Sequence, residues 1–283
     1  VIIMSSISIE PVFAGFVVCA AELVLVLRSG DKTMASQSFA NTSADHLRLV
    51  HKLARLPGCI VCLEATGVYS VDIAIALYDA GIQVMVINPQ SSHNFAKVLG
   101  RHSKTDLVDA DTLAQYAQRM PFQLWVRPSD ACMTLRAFSR RIHALTEQKT
   151  AAKNQLHACS SVSTTPKAVM HDLKLAITQL EKRLKILAAD AQKHIEAHQE
   201  LQQAFTLLLG VKGIAETSAV ALLGELLMLP SGLSHSQWVK YAGLDPKHFR
   251  SGTSVDKKAR ISKAGNHYIR AAIYMPALSA KAH

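Results

Sequence analysis

Two spacings of apolar residues divide this chain. Residues 12–28 and 33–40 are rich in β-branched and apolar residues, flank the turn Ser29-Gly30-Asp31, and read as strands. Residues 44–55 follow the helical period, with Leu47, Val50, Leu53 and Ala54 on one face. A buried strand at 59–63, a helix at 70–80 closed by Gly81, and a strand at 82–87 stopped by Asn88-Pro89 come next. Helices at 90–99 and about 106–119 complete this half. Strands alternating with helices predict an α/β layer fold with a mixed sheet. From 129 to 200 the 3/4 period takes over: Leu135, Phe138, Ile142, Leu145, then Leu173, Ile177, Leu180, Leu184, Leu187. The breaker Ser160 to Pro166 lies between the two runs, so an antiparallel helical hairpin or coiled coil is expected, serving dimerisation or as a spacer arm. The expected domains are therefore 1–128, 129–200 and 201–283.

The apolar run Pro11 to Leu27 contains Glu22 and is short for a bilayer, so two strands are expected there and no membrane role. Five cysteines form no disulfide framework, and Cys59-x-x-Cys62 lacks a second pair; they read as reduced core residues of a cytoplasmic protein. His194 and His198 have metal spacing but no third ligand, and read as part of a polar helix face.

Charge separates the halves further. Residues 1–128 balance ten basic against ten acidic side chains, whereas 129–283 carry 21 against 11, the whole net charge of +10. Such a skew fits a polyanionic partner for the second half. Leu209-Gly210-Val211-Lys212-Gly213-Ile214 resembles the turn of a helix-hairpin-helix unit, whose backbone N–H groups bind phosphate; a plain glycine-rich turn is the other reading. Lys212, Arg250, Lys257, Lys258, Arg260, Lys263 and Arg270 are the candidate nucleic-acid contacts.

Candidate chemistry rests on four residues. Asp106 and Asp109 are three apart at a helix start, which puts their carboxylates on one face about 5–6 Å apart. Glu64 ends an apolar strand. A carboxylate at a strand end plus an acidic pair on a later helix suits Mg²⁺ or Mn²⁺ and a two-metal phosphodiester site. The same pair would also simply favour a helix N-terminus through its macrodipole. Ser251, between Arg250 and Gly252, is a serine among cations, which stabilise both an alkoxide and the charged transition state of phosphodiester attack; a plain Ser-Gly turn is the alternative.

Leu63-Glu64-Ala65-Thr66-Gly67-Val68-Tyr69, Val86-Ile87-Asn88-Pro89, Lys104 to Ala110, Tyr241-Ala242-Gly243-Leu244-Asp245-Pro246, Arg250-Ser251-Gly252 and Ile261-Ser262-Lys263-Ala264-Gly265-Asn266 occur in the order found in one family. The sequence resembles a DEDD-type insertion-sequence transposase of family one hundred and ten, subgroup eleven-eleven, an RNA-guided, serine-dependent recombinase. The resemblance implies an RNase H-like (RuvC-like) N-terminal domain, a coiled-coil insertion and a mainly α-helical C-terminal transposase domain. It implies Glu64, Asp106 and Asp109 as catalytic metal ligands for Mg²⁺, Ser251 as nucleophile, DNA and a guide RNA as partners, a homo-oligomer, and a bacterial, nucleoid-associated location. Two departures stand out. Val17 occupies the place of the first acid; Glu22, five residues on and of opposite strand parity, is a poor substitute, as is Glu10. The chain also stops at His283, soon after Tyr274 to Leu278, where relatives continue. Both imply a decayed or truncated copy, and they keep two other functions open: a non-enzymatic DNA-binding remnant, or a metal-dependent junction nuclease that does not need Ser251.

Overall fold

A computed structural model describes residues 10–56, 58–65, 67–230, 232–252 and 254–282. It divides into two compact units, Val1–Arg127 and Pro128–His283.

In the first unit, β1 (Phe13–Val18), β2 (Glu22–Ser29) and β3 (Lys32–Ala40) form an antiparallel meander, while β4 (Ile60–Glu64) and β5 (Gln83–Ile87) add in parallel. The strand order is β3-β2-β1-β4-β5, a mixed sheet as expected. The apolar run read from 12 to 28 is broken at Cys19, whose N–H donates to the Glu22 carbonyl at 2.8 Å and reverses the chain. Among the described residues no helix is long and apolar enough to cross a membrane.

Alternation sends Ala14, Phe16 and Val18 of β1 to one face. There they meet Leu23 and Leu25 and the helices α1 (Ser43–Ala54) and α2 (Val71–Asp79). Thr42 caps α1 by accepting from Asp45 N–H. The buried stripe of α1 is His46, Leu49, Val50 and Leu53; Leu47, expected on that face, is 60% exposed, because 46, 49/50 and 53 share a face at 3.6 residues per turn. The other sheet face carries Phe13, Cys62, Met85 and Ile87, covered by Leu113 and Ala117 of α4 (Asp106–Arg119). The short helix α3 (Pro89–Val98) lies beside α4, with Phe95 edge-on to Tyr116 at 5.2 Å between centroids. Asp111 ties α4 to the sheet, accepting from Arg28 and Arg101 at 2.6 Å each. Burial pushes its pKa up, but those two guanidiniums and Gln115 outweigh burial and hold it below the usual carboxylate range.

The second unit is built on two long helices, α5 (Asp130–Ser160) and α6 (Lys167–Glu196). They run antiparallel: His194 Nε2 lies 2.9 Å from the Ala131 carbonyl, and Lys153 pairs with Glu181 at 3.3 Å. The helical hairpin expected from the sequence is present, and both histidines of the His194/His198 pair bond to backbone carbonyls. At its root, Leu135, Ala191 and Ile195 pack with Leu201 and Phe205 of α7 (Gln199–Leu209) and with Ala219, Val220 and Leu223 of α8 (Glu216–Leu226). The turn between α7 and α8 needs Gly213 at φ 90°, since a Cβ there would run into the Pro276 carbonyl of α10 (His267–Ala282). Between α9 (His235–Ala242) and α10 the chain forms an antiparallel hairpin of β6 (Pro246–Ser251) and β7 (Val255–Ile261), where the sequence had suggested only a turn in a mainly helical region.

One buried carboxylate fastens this unit. Glu225 of α8 is 1% exposed and accepts from Arg140 Nε at 2.7 Å and Asn266 Nδ2 at 2.6 Å, with Arg136 at 3.6 Å. Arg140 also lies over the Tyr268 ring, 4.5 Å from its centroid.

Candidate active site

Gly15 decides where α4 lies. A Cβ at this position would overlap the Ala110 carbonyl oxygen and the Ala114 nitrogen, so the helix backbone rests directly on β1. Asp106, one turn before Ala110, then falls toward the C-terminal end of β1. The Cys19 thiol just past that strand reports it: burial pushes its pKa up, and the charges of Asp106 and Glu22 add to the shift. Phe16 pairs with Leu63, so Val17 stands beside Glu64 in the next register position. Glu64 shares its strand face with Cys62, and Val17 shares its face with Phe13, which is the face that α4 covers. Glu64, Asp106 and Asp109 thus belong to the same end and the same face of the sheet. Thr105 caps α4 by accepting from Val108 N–H at 3.3 Å.

Val17 places an apolar side chain at the centre of this end. Glu22 is not on the same strand as Val17. The chain reverses at Cys19, Val17 pairs with Val24, and Glu22 is two residues from Val24 on the same face. The parity objection to Glu22 therefore fails, because it assumed one continuous strand. Ser92, in the first turn of α3, is buried and donates its hydroxyl to Glu64 Oε2. The sequence carried a faint signal for it: a serine three residues after the strand-ending Pro89.

Asp109 shows the electrostatic character of the site. Burial raises its pKa, the Lys104 charge opposes that, and Asp106 raises it again. An acid whose folded pKa is raised costs stability once it ionises, and that cost vanishes as pH falls through the folded value. Asp109→Asn is therefore expected to raise Tm at pH 7 in EDTA, with the gain shrinking as pH falls toward about 4 and absent below it. Differential scanning at the two pH values checks the sign; a lower Tm at pH 7 would contradict it.

The donor set is of hard oxygens, the kind that Mg²⁺ or Mn²⁺ takes, and repulsion between Asp106 and Asp109 is what a cation would relieve. Among the described residues, however, no three His, Cys, Asp or Glu side chains are drawn close enough together to hold an ion. The fit is one of donor kind and of place.

The buried cysteines take no part: burial pushes Cys59 and Cys62 up to about 12, and all five are free thiols.

Ser251 lies in the second unit, exposed at the end of β6 and paired with Val255 across the hairpin. Every residue of both strands is exposed. Arg250, Lys257, Lys258 and Arg260 lie on this hairpin, and Lys263 follows it at a left-handed φ of 55°. Arg250 pairs with Asp256 at 2.9 Å. Lys212 sits in the α7–α8 turn. Arg270 is engaged in the fold, donating from Nη1 to the carbonyls of Ala242 and Gly265 at 2.9 and 2.8 Å. The base of the hairpin is clipped shut. Ser262 N–H and Oγ donate to the Asp245 carbonyl and Oδ1 at 2.8 and 2.6 Å, and Asn266 N–H donates to the Tyr241 carbonyl at 2.7 Å. The two motifs flanking Ser251 are thus the two halves of one clasp.

A DEDD-type family model described as "Transposase" matches residues 21–160, beginning after β1, and a second, "Transposase IS116/IS110/IS902 family", matches residues 205–283. The pilin gene-inverting proteins of Moraxella bovis and Moraxella lacunata are each 31% identical over 218 residues, 76% of this chain; the chain spans 65% of their length. Among solved structures, Thermus thermophilus RuvC in complex with a Holliday junction substrate aligns at TM-score 0.31 and 16% identity, covering 39% of this chain and 97% of RuvC. A second Thermus thermophilus RuvC structure aligns at TM-score 0.30 and 16% identity, covering 38% of this chain and 95% of RuvC. With both models matched in chain order, the chain belongs to the IS110 family of transposases.

Proposed function

We propose that this chain is a DNA recombinase that moves an insertion sequence, with Ser251 as nucleophile and Glu64, Asp106 and Asp109 as the acidic centre. The strand order β3-β2-β1-β4-β5, antiparallel then parallel, supports an RNase H-like reading of the first unit. What supports the acidic centre most is that α4, which opens with Asp106 and Asp109, rests through Gly15 on the sheet face toward which Glu64 ends β4. Those acids would hold Mg²⁺ or Mn²⁺, which, when bound, stabilises charge building on a phosphodiester. The Ser251 hydroxyl gives up its proton to a base and its oxygen bonds to phosphorus. The bond from phosphorus to one sugar oxygen breaks, and that oxygen leaves as a hydroxyl after taking up a proton. Attack by a sugar hydroxyl on the phosphoserine reverses the sequence and rejoins a strand. The cations on the hairpin neutralise phosphate around the serine. Subgroup eleven-eleven, a guide RNA and homo-oligomerisation through the α5–α6 arm belong to the same proposal.

The test uses a plasmid carrying the gene with its flanking DNA. Denaturing gels should show DNA covalently attached to the protein, and Ser251→Ala should lose the adduct. An adduct undiminished in Ser251→Ala would overturn the nucleophile assignment. Val17 favours a second reading, a DNA-binding remnant without catalysis. On that reading the native chain gives no adduct and Val17→Asp restores it.

A further inference from the structure

The register of the β6–β7 hairpin sorts its side chains onto two unlike faces. Cross-strand partners share a face, so the pairs Ser251–Val255, Phe249–Lys257 and Lys247–Arg260 lie together. The bulge between Lys247 and Phe249 absorbs one extra residue of β7 and keeps Arg260 on this side. The Lys247 ammonium lies 4.8 Å from the Phe249 ring centroid, as the shared face requires. On the opposite face, Arg250 is neutralised by Asp256. One face therefore presents three cations, an aromatic ring that is 50% exposed, and the serine; the other presents the Arg250–Asp256 pair with His248 and a single further cation, Lys258.

We propose that this serine-bearing face is a major-groove reader of B-form DNA. This rests on the recombinase reading above and names the surface through which it would act. A two-stranded ribbon fits the B-form major groove, whereas the A-form groove of duplex RNA is too deep and narrow for side chains to read. Lys257 and Arg260 on one strand and Lys247 on the other contact phosphates on the groove walls. Phe249, midway along the face, meets the methyl group of thymine on the groove floor. Ser251 is two residues farther along the strand, about 7 Å away, which carries its hydroxyl out of the groove toward the backbone.

The experiment measures binding of the full chain by fluorescence anisotropy at two salt concentrations. The probes are a short alternating adenine–thymine duplex, the same duplex with deoxyuridine for thymine, and the RNA duplex of equivalent sequence. The native chain should prefer thymine over deoxyuridine by about fourfold, the worth of one buried methyl. Phe249→Ala should bind both equally. Lys257→Ala with Arg260→Ala should flatten the slope of log affinity against log salt by about two. His248→Ala, on the other face between Lys247 and Phe249, should change neither. All these positions are exposed, so far-UV circular dichroism should be unaltered. Equal binding of thymine and deoxyuridine duplexes, equal effects from both faces, or RNA bound as tightly through Lys257 and Arg260 would each overturn the groove assignment while leaving the recombinase reading standing. A native chain that binds no nucleic acid at low salt would overturn both.

Discussion

Glu225→Ala should lower the stability of the second unit by about 3 kcal/mol, seen as an earlier loss of helical signal in urea. Removing the carboxylate leaves Arg136 and Arg140 facing each other and frees Asn266. The arginines are roughly a third exposed, which keeps the cost at the lower end of the range for a broken buried pair. The pH dependence has a definite sign. Burial pushes the Glu225 pKa up, but the hydrogen bonds from Arg140 and Asn266 and the charges of Arg136 and Arg140 together hold it below the ordinary value. Its contribution is therefore present above the unfolded pKa and is lost as pH falls through the folded one. The native chain should lose stability on acidification in a way that Glu225→Ala does not. Parallel acid titrations of the two proteins would refute the network if their slopes matched.

Gly15→Ala should be comparably damaging, at about 3 kcal/mol or more. The added Cβ meets backbone atoms of Ala110 and Ala114 rather than a movable side chain, so α4 must lift from the sheet. That lift would carry Asp106 and Asp109 away from Glu64 and strain the pairs of Arg28 and Arg101 with Asp111. Thermal unfolding measures the loss. A Tm unchanged by Gly15→Ala would mean that α4 does not rest on β1 as described.

Much of the first unit was legible in the sequence because its strands and helices each bury one face or both. The periods of 2 and 3.6 are then written directly into β4, β5, α2 and α4. Two strands were expected in the run from Pro11 to Leu27, but the place of the reversal was blurred because β1 and β2 are both apolar and run together without a glycine or proline between them, and the parity of Glu22 was misjudged for that reason. The β6–β7 hairpin was invisible as strands: a ribbon exposed on both faces has no hydrophobic alternation to read. Its neighbouring motifs were found, but not their task of clasping each other. Glu225 went unseen because its partners Arg140 and Asn266 are 85 and 41 residues away, and a single-position reading carries no sign of such a pairing. Nothing in the sequence singles out Phe249; only cross-strand register puts it beside Lys257.

The clasp between Tyr241–Asp245 and Ser262–Asn266 has an evolutionary consequence. A Cβ on Gly265 would overlap the backbone of Tyr241 and Gly243, so the two ends of the hairpin segment meet almost atom to atom. None of the described residues between them is buried. A segment that leaves and re-enters the fold at one point, and contributes nothing to its core, behaves as a cassette. Packing does not constrain its residues: apart from Ser251 and the groove-facing side chains they can change, or the segment be exchanged whole with that of a relative, while the helices that carry it keep their packing.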